Sequence, residues 1–478
     1  MQKLNILRIL AYTFVYVNFF LYLCTQIYCA RICARARDAD MRIKSLTMSN
    51  YRNYKDAEIK FGERTTVIIG KNGMGKTNLV AALKQALSFI FAKKKYNPYF
   101  DLIASSDQRV KSITTLDARY GRNDFGYDYN FPVSVKGELL LPNGADLQWE
   151  FHKETASSGM DDYLYGEANL RFWEFYTSNR TLPVIAYFSD SYPHVKTNIG
   201  KNVQGMLDSG FELPKNIAYY KWDEEKNCTG IWMQYYLMQY KNNKFSEDRA
   251  VKYDTRKYIK YINETLIRFG ASLPNSYAAN DVELKGVEVE ARGKEDVMMF
   301  QFVNGMRIAF DQLPQGYKRI FSIVFDIASR AYFLNGSYSP EGIVLIDEIE
   351  LHLHPSLAQE ILQRLEATFP NIQFVVTTHS PLVLSSYQQG AYDLLYKLVK
   401  NEEGNTFIEL ESQYGVDYNT LVHSTMDTPE RNEYIQKLLR AYQYWYDMDN
   451  REKCAAVAAE IRAKAGDESR VYQELNRK

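Results

Sequence analysis

Eight residues, Gly70-Lys71-Asn72-Gly73-Met74-Gly75-Lys76-Thr77, have the types and spacing of a phosphate cradle, G-x-x-x-x-G-K-[ST]. Glycines permit positive φ angles and let backbone N–H groups close on phosphate oxygens. Lys76 supplies a point charge for the outer phosphates. The Thr77 hydroxyl is a hard oxygen ligand suited to Mg²⁺, and Asn78 continues the cradle. A second set lies far downstream. "GIVLIDEIELHLHP" runs four apolar residues, Ile343 to Ile346, into Asp347-Glu348. Asp347 there would hold Mg²⁺ opposite Thr77, and Glu348 would polarise an attacking water as general base. "QFVVTTHSP" delivers His379 to the same region, where an imidazole would sense a terminal phosphate. In "DQLPQGYKRIF", Gly316 opens a helix whose N–H groups suit an anion. His352 and His354 lack a third clustered ligand and make a weak metal signature.

These residues need elements to hold them. "RTTVIIG" is a β-branched run ending in Gly70, a strand buried on both faces, and "KTNLVAALKQALSFIFA" has helical spacing. Strand, glycine loop and helix in that order are the context a phosphate loop requires. Ahead of it, "MRIKSLTMSNYRNYKDAEIKF" alternates as two strands with a turn near Asn53. Residues 109–152 read as strands with turns at "GRND" and "LPNG". Residues 160–275 are rich in Tyr and Trp and mainly helical, with "LPVIAYFSD" a buried strand among them. Alternation returns at "VELKGVEVEAR" and "DVMMFQFV", followed by a long helix through "YKRIFSIVFDIASRAYF". The predicted partition is 1–40, 41–150, 151–280 (an insertion), 281–400 and a helical tail, 401–478.

Length and composition set outer limits. With 478 residues the chain suits two or three domains, or one core with large insertions. Lys and Arg total 58 and Asp and Glu total 58, so broad nonspecific nucleic-acid binding gains no support from net charge. The 38 Tyr residues suit interaction faces. Three of five Cys fall in the first 40 residues, and no disulfide or zinc spacing is present. The body therefore fits a reducing, cytoplasmic compartment. Residues 9–30 are mostly apolar, uncharged and about long enough to span a bilayer. A membrane anchor, a signal peptide and a start codon placed too early compete there. Arg31, Arg35 and Arg37 leave the body cytoplasmic in any case, and Met41 stands where the domain pattern begins.

In this order the elements resemble the ABC-type ATPases of the RecF/SMC class, and in particular the bacterial AAA-family or OLD-like group. The resemblance implies an α/β fold: an ABC-type P-loop NTPase head with mixed sheet, antiparallel β subdomain and inserted helical region. It makes "GKNGMGKT" Walker A, "VLIDE" Walker B, "LPQGYK" the signature position, "LHLHP" the D-loop and His379 the switch histidine. It places Asn53 or Arg52 near the nucleotide. The cofactors implied are ATP and Mg²⁺, and the assembly implied is a homodimer or higher homo-oligomer closed around the nucleotide. Members carry Ser where this chain has Pro314, so the contact across the dimer falls to Gly316, Tyr317, and Lys318 or Arg319. The Tyr-rich segment and the tail resemble the ATPase subunit of Septu antiphage systems and retron-associated ATPases. That likeness implies a separately encoded nuclease partner, with DNA or RNA as a further partner. A RecF-like DNA-repair clamp is the alternative. A transporter motor is disfavoured by the 235-position separation of Thr77 and Gln312.

Overall fold

The computed structural model describes residues 40–92, 110–123, 126–160, 163–179, 182–190, 201–209, 213–223, 229–271, 273, 282–292, 295–336, 340–401, 404–427, 432–466 and 469–475. The apolar run at 9–30 lies outside them. The chain forms two compact units divided between Tyr414 and Gly415.

In the first unit, β1 (Arg42–Tyr51), β2 (Tyr54–Lys60) and β3 (Thr65–Ile69) lead into α1 (Lys76–Leu87). Then come β4 (Arg119–Asn123), β5 (Gly126–Asn130), β6 (Val133–Leu140), β7 (Asp146–Lys153), α2 (Tyr163–Asn179), β8 (Val184–Phe188) and α3 (Lys201–Ser209). Helices α4 (Thr229–Phe245) and α5 (Arg249–Gly270) precede β9 (Leu284–Arg292), β10 (Glu295–Phe302) and β11 (Arg307–Ala309). The last stretch holds α6 (Gln315–Asn335), β12 (Gly342–Ile346), α7 (Pro355–Thr368), β13 (Ile372–Thr378), α8 (Pro381–Ser386), β14 (Leu394–Lys400) and β15 (Asn405–Glu409).

The strands assemble as the alternation patterns require. A mixed six-stranded sheet has the order β15-β14-β3-β13-β12-β8, parallel except for β15. Every residue of β3, β8, β12 and β13 is buried, which is why these segments read as unbroken apolar or Thr-rich runs. A four-stranded antiparallel sheet, β2-β1-β6-β7, packs on the glycine-loop helix, and Trp149 Nε1 donates to the Ala86 carbonyl at 2.9 Å. Gln373 fastens the two sheets together: its amide accepts from Ile43 N at 2.8 Å and donates to Ile43 O at 2.9 Å. A three-stranded sheet, β11-β10-β9, and the hairpin β4-β5 complete the set. The strand predicted inside the helical insertion, β8, is an edge of the main sheet in register with β12, Phe188 opposite Ile346.

The central helix α6 is buried over most of its length, including Asp326 and Arg330, which pair with each other. Burial of that pair is tolerable because both charges are satisfied locally. The second unit holds a helical hairpin, α9 (Glu433–Asp447) and α10 (Arg451–Ala465), then α11 (Arg470–Leu475). Asn432 and Asn450 cap the two long helices, accepting from Tyr434 N at 3.0 Å and Lys453 N at 3.1 Å.

Candidate nucleotide site

The site forms where the parallel strands end. β3 runs into the glycine loop, β12 into Asp347-Glu348 and β13 into His379. Gly73 and Gly75 take φ of 78° and 106°, so the loop uses the backbone freedom its glycines provide. A side chain at Gly75 would also meet Asn53 Nδ2 at 2.6 Å. Several side chains brace the loop from outside. Tyr54 Oη donates to Gly75 O at 2.9 Å, Asn405 Nδ2 donates to Met74 O, and Asn78 donates to Asn53 Oδ1. Arg52, at φ 48°, donates to Asn78 Oδ1 at 3.1 Å and to Asp117 Oδ1 at 2.8 Å.

One cavity of about 290 Å³ is lined by Asn72, Gly73, Gly75, Lys76, Thr77, Asn78, Asp347, Glu348 and His379. The glycine loop and both distant motifs therefore meet in one place. A second cavity of about 680 Å³ shares Asn72, Gly73 and Asn78 with the first and extends to Arg52, Asn53, Met74, Leu116, Tyr120 and Tyr129. Lys71 stands exposed on the loop, and Gly70 contributes its carbonyl to Lys76. Gly316 lines neither cavity. It is the second residue of α6, after Gln315, and a side chain there would strike the His352 carbonyl. Lys318 and Arg319 are committed inside their own subunit, Lys318 Nζ donating to Asp311 O at 2.7 Å and Arg319 being 0% exposed. Neither fits the contact across the dimer expected of it.

The charges are tightly arranged. Lys76 Nζ donates to Gly70 O at 2.7 Å and lies 3.4 Å from His379 Nδ1. Burial pushes the Lys76 ammonium down to about 8, against the pull of Asp347, Glu348 and Glu350. Burial, aided by Lys76, pushes His379 down to about 4, so the imidazole is neutral near pH 7. An ammonium only donates, so Nδ1 accepts and the ring proton sits on Nε2, 3.7 Å from Glu348 Oε1. Burial first, then Asp347, Glu350 and Asp190, raise the Glu348 carboxyl above the usual range. Asp347 is buried and accepts from the Thr377 hydroxyl. The oxygen donors of Thr77 and Asp347, open to one cavity, suit a hard cation such as Mg²⁺. Among the described residues no group of three His, Cys, Asp or Glu could hold a metal by itself, so His352 and His354 form no such centre.

Three positions escaped the sequence reading. Glu350 accepts from Thr378 Oγ1 at 2.7 Å and from His379 N at 2.6 Å, fixing the turn that presents His379. Its only signal was a third carboxylate in "DEIE". Asn405 braces Met74 from 331 residues away, which no local pattern reveals. Asp117 orients Arg52 from within a stretch that reads as a run of strands.

A cradle on a strand-to-helix turn, opposed by buried and semi-buried carboxylates and a neutral histidine, defines a P-loop nucleotide hydrolase. Comparison with known proteins narrows the class. Residues 41–120 match the family described as "AAA ATPase domain", and residues 212–385 match "AAA domain, putative AbiEii toxin, Type IV TA system". The first stretch contains the glycine loop; the second contains α6, Asp347-Glu348 and His379. The chain is 26% identical over 410 residues to "Retron Vc95 probable ATPase" of Vibrio cholerae serotype O1 biovar El Tor, spanning 78% of this chain and 77% of that protein. It is 37% identical over 145 residues to "Septu protein PtuA" of Bacillus mycoides (strain KBAB4), spanning 29% of this chain and 20% of that one. Among solved structures, the SMC head domain from Thermotoga maritima aligns at 12% identity and a TM-score of 0.37, spanning 77% of this chain and 99% of that one. The chain carries AAA-family ATPase domains and is homologous to these retron and Septu proteins; its activity class is ATPase.

Proposed function

We propose that two copies of this chain close face to face around ATP in the cytoplasm, and that the bound or hydrolysed state controls a separately encoded nuclease in antiphage defence. The observation that carries the sandwich is the split of the motifs. Lys76, Thr77, Asp347, Glu348 and His379 share one cavity, whereas Gly316 lines neither cavity of its own subunit. A lone subunit would leave the terminal phosphate open on one side, and the α6 N-terminus of a second subunit is the part suited to cover it. The likeness to a retron ATPase and to a Septu protein supports the defence setting.

Within the site, residues Gly70 to Asn78 cradle the phosphates, and Asn53 holds the loop through Asn78. The base and ribose fit the larger cavity beyond Asn72 and Gly73. Thr77 and Asp347 would hold Mg²⁺, which neutralises phosphate charge when bound. Lys76 turns its ammonium from the loop carbonyls to the phosphates. Glu348, its carboxylate destabilised by burial and neighbouring acids, takes the proton of the attacking water. His379 donates from Nε2 to the phosphate oxygens that gain charge. The experiment is the Glu348→Gln variant, with particle mass measured with and without ATP. ATP should convert it to a stable dimer, Gln315→Trp at the exposed start of α6 in the same background should abolish the dimer while leaving ATP bound, and Glu348→Gln should lose phage protection in cells. Full turnover by Glu348→Gln, or a monomer at saturating ATP, would refute the reading.

A further inference from the structure

Parallel strands β8 and β12 end side by side, and the last ladder bond is Asp347 N to Phe188 O at 2.8 Å. Beyond it the backbones diverge, β8 toward Ser189-Asp190 and β12 toward Asp347-Glu348. Four carbonyls at this fork, two of them in the buried residues Ser189 and Asp347, would lose their ladder partners. The Arg319 guanidinium occupies the fork. Its Nη1 donates to Ser189 O at 2.9 Å and Asp190 O at 3.3 Å, and its Nη2 donates to Asp347 O at 2.8 Å and Glu348 O at 3.1 Å. A planar, doubly armed cation matches this pattern; a lysine ammonium does not span both strands.

The contact bears directly on Glu348. That residue sits at φ 49°, a conformation disfavoured for a side chain of its size. Its N–H is held by Thr377 Oγ1 at 2.9 Å and its carbonyl by Arg319, so the peptide units on either side are fixed. Arg319 lies in the first turn of α6, three residues after Gly316, whose backbone packs on His352. The first turn of α6, the Asp190 strand end and the Asp347-Glu348 turn thus share one side chain as their link.

We infer that Arg319 is a positioning residue for ATP hydrolysis: it holds the Glu348 backbone in its left-handed conformation and ties that conformation to the first turn of α6. The inference rests on the proposed role of Glu348, and deepens it by naming what sets the carboxylate's direction. Because Arg319 touches carbonyls and lines neither cavity, its loss should lower kcat and leave nucleotide affinity in place.

The test uses Arg319→Ala and Arg319→Lys in the full chain, with kcat, KM, ATP-analogue affinity and unfolding temperature measured on each. Arg319→Ala should lose about 100-fold in kcat with affinity within about 3-fold of wild type. Guanidinium at tens of millimolar should restore at least about 10-fold of that loss by refilling the fork, and methylammonium should not. Arg319→Lys, keeping the charge without the planar reach, should stay well below wild type. The double variant Arg319→Ala, Glu348→Gln should not respond to guanidinium. Unchanged kcat in Arg319→Ala overturns the inference. So does unfolding of both variants, or parallel loss of affinity and kcat without rescue, since Arg319 would then serve the fold alone. If Glu348→Gln turns over normally, the reading of Glu348 falls first, and that outcome is distinct from a silent Arg319.

Discussion

The two ends of the six-stranded sheet contain similar residues put to opposite uses. At the end where β3, β13 and β14 begin, Arg64 pairs with Glu366 at 2.9 Å and with Asp393 at 3.0 Å. Thr65 and Tyr387 hydroxyls donate to Glu366 at 2.6 and 2.8 Å, and Gly390 N donates to Asp393 at 2.7 Å. The acids are closed on by the protein's own donors. At the other end Asp347, Glu348 and Glu350 surround Lys76, which turns back on its own loop. There the polar groups converge on open space, and burial disfavours the charged forms of both Lys76 and Glu348. A network that satisfies itself stabilises the sheet, whereas one left incomplete is completed by a ligand.

Substitutions at the two ends should separate cleanly. Lys76→Ala should lower ATP turnover by about 100- to 1,000-fold, the range for removing one preorganised donor of charge. Its unfolding midpoint should stay level or rise, because a desolvated ammonium leaves the interior; equal loss of activity and stability would break the comparison. Arg64→Ala should do the reverse. It strands Glu366 and Asp393 in a dry site and should cost about 3 kcal/mol in denaturant unfolding, with ATP affinity retained. The smallest effect belongs to a pair at neither end. Lys44 Nζ meets Glu138 Oε1 at 2.9 Å near the surface. The hydrogen bond to Lys44 lowers the Glu138 carboxyl below its ordinary 4.5, and the bond to Glu138 raises Lys44 above 10.5. The pair's contribution is therefore full between those ordinary values. It fades as pH falls through the folded Glu138 value or rises through the folded Lys44 value. At under about 1 kcal/mol it should vanish in Glu138→Gln and shrink in high salt, as read from unfolding curves between pH 3 and 7.

The same contrast explains what the sequence disclosed. The cavity end was legible because a phosphate loop has a fixed spacing and a strand-to-helix context, and because apolar runs end abruptly in Asp347-Glu348 and His379. The other end was silent: Arg64, Glu366 and Asp393 are scattered, and only the parallel pairing of β3 with β13 and β14 unites them. β8 was visible as a strand but not as a neighbour of β12, since pairing across the 158 positions from Val184 to Gly342 leaves no periodic trace. Arg319 misled for another reason. The resemblance put Lys318 or Arg319 in the contact across the dimer, and only the fold reveals four carbonyls waiting for Arg319.

The pairing of β3 also dictates when the site comes into existence during synthesis. β3 bonds to β13 and β14, and 329 residues separate Arg64 from Asp393. At about 5–20 residues per second, the glycine loop leaves the ribosome roughly 15–60 s before either neighbouring strand follows. During that interval β3, five residues that are all buried in the finished protein, has two bare edges. A chain cut short before Ile372 should therefore aggregate rather than bind nucleotide, and the nascent chain is a natural client for a chaperone that shields short apolar strands.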